Sequence, residues 1–309
     1  MQTFTFVFVS LIFLTSGQNT QTGVYFAKDS KPELLWNQGE FTEGPAWGPD
    51  NRLYFSDIGN RILQFNPADK TTKDYRNPSG RSNGLEFDLQ GNLIAAEGAN
   101  TGGNRRISIT LKDGSIKEVA AKFEGKRFNS PNDLVIDSRG NIYFTDPRYV
   151  GSETRELDHE SVFMIDPKGK VSIATRDAKK PNGICISPDG KTLFLAENDP
   201  SGNRYLLSFA IHADGMLHSK KVLHDFGKGR GIDGMCVDNK GNVFATAGSG
   251  PKGGIYVFSP SGKVMDFVQT PEDPSNCCFG GKGSKTLYIT AGKSLYRIET
   301  TSTGYHPAW

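Results

Sequence analysis

Six side chains carrying oxygen recur at one position of a repeated stretch in this chain: Glu43, Asn83, Asn132, Asn182, Asp233 and Asn276. They open the stretches EGPAWGPDNRLYFSD, NGLEFDLQGNLIAAE, NDLVIDSRGNIYFTD, NGICISPDGKTLFLAEN, DGMCVDNKGNVFATA and NCCFGGKGSKTLYITA. Two are carboxylates and four are amides. Brought together in a narrow channel, the carboxylates would repel, and burying one unpaired costs roughly several kcal/mol. A bound cation removes that cost. Oxygen-only donors select a hard ion, Ca2+ first, then Mg2+ or Mn2+. Zn2+ comes last, because no His or Cys stands in the set. A turn-capping role accounts for any single Asn or Asp before a strand. It does not account for six, since Gly, Ser or Thr would cap as well and none opens a stretch.

The elements that must position these residues are hairpins. After each opening comes a short alternating apolar run, then a turn rich in Gly, Asn and Asp, then a second apolar strand. Gly91, Gly140, Gly190 and Gly241 each fall eight positions after their opening residue, where a tight turn needs φ > 0. Glycine is abundant, 36 of 309 residues, with no collagen-like period. The openings are spaced by 40, 49, 50, 51 and 43 residues, and most units close with two further strands, such as RILQFNP or GIYVFSPSGK. Four strands in about 40–50 residues is one blade of a β-propeller. Six blades consume the chain from residue 18 to 309 as a single all-β domain around a central channel. The segment Val24–Asn37 is expected to lend a strand to the last blade, leaving no open sheet edge.

Residues 1–17 stand apart. Phe4–Leu14 is a mostly apolar run too short to span a bilayer, and Thr15-Ser16-Gly17 offers small residues for cleavage. This reads as a signal peptide, although the first charged residue is Lys28. The expectation is a secreted or periplasmic protein with no membrane contact after cleavage. Lys and Arg number 36 against 34 Asp and Glu, which gives no electrostatic footprint for nucleic acid. The four Cys form no C-x-x-C pair. Gly248–Gly253 matches G-x-G-x-x-G but lies between two strands with no helix following, so it is a hairpin connection rather than a dinucleotide site. No G-x-S-x-G nucleophile elbow occurs.

EGPAW, RFNSPNDLVID, YFTDPR, PNGICISPDG and IDGMCVD, in that order, resemble the gluconolactonase/regucalcin (senescence marker protein) family of six-bladed propeller lactonases over about residues 35–300. The resemblance implies a divalent metal, usually Ca2+, held by Glu43, Asn132, Asn182 and Asp233. It also implies hydrolysis of a sugar lactone such as gluconolactone, with Asp233 as general base or nucleophile. Asn83 and Asn276 are then substrate-facing or second-ligand positions, and Arg127 is placed to reach over the mouth and hold substrate. Asp133 should point away from the channel by strand alternation. Asp57, Glu97, Asp146 and Glu197, at the ends of second strands, are expected to fix loops. Residues 148–160 form a long connection that could serve as a lid. The family's rim His before a GNRR-type sequence is replaced by the longer EGANTGGNRR. Two alternatives stay open: an organophosphate or aryl ester hydrolase on the same site, and a non-enzymatic, calcium-stabilised binding propeller.

Overall fold

The computed structural model describes residues 24–98 and 102–308; the leader-like segment 1–17 lies outside them. Six four-stranded antiparallel sheets make up the fold. Blade 1 runs Thr42–Trp47, Leu53–Asp57, Arg61–Asn66, Thr71–Arg76, and blade 2 runs Ser82–Phe87, Leu93–Glu97, Arg106–Thr110, Ile116–Ala120. Blade 3 comprises Leu134–Ile136, Ile142–Thr145, Val162–Ile165 and Val171–Thr175. Blade 4 comprises Pro181–Ile186, Thr192–Asn198, Arg204–Ile211 and Leu217–Asp225. Blade 5 has Ile232–Val237, Val243–Ala247, Gly254–Phe258 and Val264–Gln269. Blade 6 has Pro274–Gly280, Thr286–Ala291 and Ser294–Glu299, and takes its fourth, outermost strand from Glu33–Trp36. That strand pairs antiparallel with Ser294–Glu299, as the sequence led us to expect. The first strands touch their neighbours all the way round, so the ring is closed.

The apolar core is not one mass but six clusters, each wedged between two adjacent blades. Leu53, Phe55 and Phe65 of blade 1 pack on Tyr288 and Leu295 of blade 6. Phe144 and Phe163 of blade 3 pack with Ile94 and Ile107 of blade 2. Strands buried on both faces explain the near-continuous apolar runs in the sequence. Each fully buried Phe contributes about 1.5–3 kcal/mol from area removed from water.

The hairpin turns share a built-in clamp. In DLQGN, DSRGN and DNKGN, the carboxylates of Asp88, Asp137 and Asp238 accept the backbone N–H groups two and four residues on, and the Asn amide too. The fourth residue of each turn is a glycine at positive φ, +83° at Gly140 for example. The register seen in the sequence is therefore a turn requirement.

Candidate functional site

The start of each first strand is irregular. Register shifts fall between Glu43 and Ala46, Ser82 and Leu85, Pro181 and Ile184, Ile232 and Met235, and Pro274 and Asn276. In blade 3 the ladder begins only at Leu134, after Asn132 and Asp133. Such bulges re-aim side chains and break the alternation of a regular strand. They turn the opening residues toward the axis, where glycine neighbours permit crowding. Gly44, Gly84, Gly183 and Gly234 stand directly after the opening residue in four of the blades. A Cβ on Gly183 would lie 2.2 Å from Asp233 O, and one on Gly234 2.0 Å from the Asn276 side chain. Only glycine lets neighbouring openings approach so closely.

At one mouth of the channel lies a cavity of about 680 Å3. Glu43, Asn83, Asn132, Asn182 and Asp233 all line it. Glu43 is buried, 4% exposed; within the protein its carboxylate accepts the Gly44 N–H at 3.0 Å. Burial, and then the charges of Asp233 and Asp133, push its carboxyl well above the usual range. The Asp233 carboxylate accepts the Asn182 amide at 2.8 Å and the Arg230 guanidinium at 2.6 Å. Burial raises its pKa, against the pull of Arg230 and Asn182.

Two of the sequence-derived substrate residues lie elsewhere. Asn276 lines a smaller cavity of about 80 Å3 further along the channel, where its amide is 3.5 Å from the Asp133 carboxylate. Arg127 ends the exposed hairpin Lys122–Phe123/Lys126–Arg127, does not line the mouth, and donates to Asn104 O at 3.0 Å. Asp133 corrects the alternation argument. It lines the smaller cavity and accepts from Leu134 N at 3.0 Å and Ile184 N at 3.4 Å, because the regular strand has not yet begun at that point. Burial pushes its carboxyl up to about 7. All four cysteines are free thiols. Cys185, Cys236, Cys277 and Cys278 line this smaller cavity, and Tyr305, His306 and Pro307 of the C-terminal tail flank it.

Arg81, Tyr149, Arg204 and Arg230 line the mouth unforeseen. Only Arg230 carried a legible signal, three residues before Asp233. Tyr149 and Val150 bring the 148–160 connection to the cavity wall. That connection is pinned at its base, where the Arg148 guanidinium donates to Asn129 O and Glu153 O.

The donor chemistry suits a hard cation. Glu43 and Asp233 are both carboxylates, the charge of Asp233 raises the proton affinity of Glu43, and the amides of Asn132 and Asn182 line the same cavity. Among the described residues no three His, Cys, Asp or Glu side chains gather at metal-ligand spacing. An ion here would therefore draw on the amide oxygens as well, which Ca2+ accepts readily.

Comparison with known proteins gives the same picture from outside. A gluconolactonase from Zymomonas mobilis is 31% identical over 300 residues, covering 88% of this chain and 82% of its own. The solved structure of a gluconolactonase from Xanthomonas campestris superposes with a TM-score of 0.78 at 28% identity, covering 90% of this chain and 98% of that one. The calcium-binding protein regucalcin from Agrobacterium tumefaciens shares the fold at 18% identity and a TM-score of 0.72, over 90% of this chain and 96% of its own. Residues 41–293 match the model of the SMP-30/Gluconolactonase/LRE-like region, and the chain belongs to that family.

Proposed function

We propose that this protein is a metal-dependent lactonase that opens a sugar lactone at the mouth lined by Glu43, Asn182 and Asp233. The observation that carries this reading is the Asp233 carboxylate, gripped by Asn182 and Arg230 on the wall of an open cavity and facing the buried Glu43. The gluconolactonases among its relatives support the substrate class.

Arg230 and Asn182 fix both oxygens of Asp233, so the carboxylate is oriented before substrate arrives. Asp233 takes a proton from the attacking water as the lactone carbonyl becomes tetrahedral. The same proton then passes to the ring oxygen as the C–O bond breaks, releasing the hydroxy acid and returning Asp233 to its starting form. Glu43, Asn132, Asn182 and Asp233 would hold a divalent cation, Ca2+ by the hardness of the donors, which when bound polarises the carbonyl as a Lewis acid. Asn83 lines the cavity and is placed to meet the hydroxyls of a sugar ring. The apolar Phe4–Leu14 run supports export, so we place the activity outside the cytoplasm.

The test is hydrolysis of glucono-1,5-lactone followed by acid release, before and after chelation and again after Ca2+ is restored. Activity lost on chelation and recovered with Ca2+ is the expected result. A folded, Ca2+-loaded protein inert on every aldonolactone overturns the reading, and turnover of aryl esters or organophosphates alone replaces it.

A further inference from the structure

The charges around the mouth do not match a neutral sugar. The lining holds three arginines, Arg81, Arg204 and Arg230, and two acidic side chains, Glu43 and Asp233. Both acids belong to the opening ring, and Arg230 is already committed to one of them at 2.6 Å. Arg204 is different. It begins the third strand of blade 4, level with Asn198 at the end of the second. Its guanidinium donates to Pro200 O at 2.8 Å and Gly227 O at 3.5 Å, and it makes no ion pair among the described residues.

Carbonyl acceptors of this kind fix the position of a guanidinium without neutralising it. The planar fork retains further N–H groups for a second acceptor, and its geometry matches a carboxylate, phosphate or sulfonate. Arg81 also lines the rim, with its guanidinium donating to Ile58 O and Gly59 O. Phe41, Ile58 and Val150 supply apolar walls between these groups. A cleft with low-dielectric walls focuses the field of its charges, so a guanidinium held at the rim without an acidic partner draws an incoming ligand of the opposite sign. Hydroxyls alone would not call for such a rim.

We propose that the preferred substrate is a lactone carrying an anionic substituent away from the reacting carbonyl, with Arg204 as the residue that receives that anion. This rests on the lactonase reading and narrows it. The substituent lies at the rim while the lactone carbonyl sits over Asp233, so one molecule spans both parts of the cavity.

The experiment compares kcat/KM for neutral glucono-1,5-lactone with its 6-phosphate and 6-carboxylate counterparts, at low and at high salt. The charged lactones should lead by about tenfold or more at low salt, and the lead should shrink at high salt as the rim is screened. Arg204→Gln should erase most of the lead through KM, and Arg204→Lys should keep part of it. Phosphate and carboxylate leading alike assigns the preference to charge, whereas one leading alone identifies the substituent. A neutral lactone turned over equally well, with a ratio unaffected by salt or by Arg204→Gln, overturns the proposal.

A separate measurement keeps this outcome distinct from failure of the lactonase reading. Calorimetric binding of 6-phosphogluconate needs no turnover. Arg204-dependent binding without hydrolysis of any lactone would sink the reaction and leave the anion site standing. Hydrolysis of neutral lactone without such binding would do the reverse.

Discussion

Asp57 and Glu97 end the second strands of their blades, Asp146 directly follows one and Glu197 is the last but one of another, while Glu43 and Asp233 stand second in the first strands of theirs. The first group is enclosed by donors. Asp57 accepts the Glu40 and Phe41 N–H groups and the Arg61 guanidinium. Glu97 takes Arg76, Asn104 and Arg106. Asp146 receives the Asn129 and Ser130 N–H groups, both at 2.7 Å, and Glu197 lies near Lys179 N and Lys220. Glu43, by contrast, has the adjacent Gly44 N–H and is pressed upon by other carboxylates. One repeat thus produces carboxylates fully supplied with partners by the fold and, at Glu43, one with little beyond its neighbour's N–H, while Asp233 holds Asn182 on one oxygen and Arg230 on the other. What sets Glu43 and Asp233 apart from the first group is that both line the cavity, while none of Asp57, Glu97, Asp146 and Glu197 does.

The largest expected effect that tests this contrast is at Asp233. Asp233→Asn should lower kcat/KM on the best lactone by about 10³-fold while melting within a few degrees of wild type. Activity retained within tenfold would move the chemistry elsewhere. Glu97→Gln should do the opposite. Leaving the buried Arg76 charge short of its partner costs about 3–5 kcal/mol in a urea melt, and the folded fraction should keep kcat/KM within about threefold. Loss of activity without loss of stability would erase the distinction between the two groups.

A smaller effect comes from pH. Burial pushes the Asp146 carboxyl up to about 7 despite its two N–H partners. The folded protein therefore keeps a proton that the unfolded chain gives up, and the stability linked to it falls as pH rises from about 4 to about 7. Chelated wild type should lead Asp146→Asn most below pH 5, with the lead narrowing toward pH 8. A lead that is constant or grows means Asp146 is ionised throughout. The smallest expected change is at Arg127. It lies off the mouth, so Arg127→Ala should leave kcat/KM within about twofold and stability within about 0.5 kcal/mol. A tenfold rise in KM would bring it back to the substrate.

The blade count, the closing strand from the N-terminal segment and the five opening residues that line the mouth were legible because they obey a repeat. A period of roughly fifty residues, a glycine at a fixed offset and a polar opening survive in the sequence without any knowledge of depth along the channel. That depth is what the repeat does not encode, so Asn276 falls below the mouth although its position in the unit equals that of Asn83. Asp133 was misplaced because alternation presumes a regular strand, and the bulged starts are not regular. The arginines were missed for a related reason. Arg81, Arg204 and Arg230 come from connections or strand edges at different offsets in their blades, and only the assembled ring brings them together.

The outermost strand of blade 6 has a kinetic consequence. Glu33 pairs with Arg297 and Leu34 with Tyr296, so the contacts that close the ring join nearly the two ends of the folded domain. Five blades can form from neighbouring sequence, but the circle stays open until the last hairpin reaches the first strand, a search over a long loop. During that interval blade 1 lacks the blade 6 side chains that cover Phe55 and Phe65. Closure of the ring therefore depends on contacts among the most distant in sequence, and without Glu33–Trp36 the Ser294–Glu299 strand of blade 6 would be an open sheet edge.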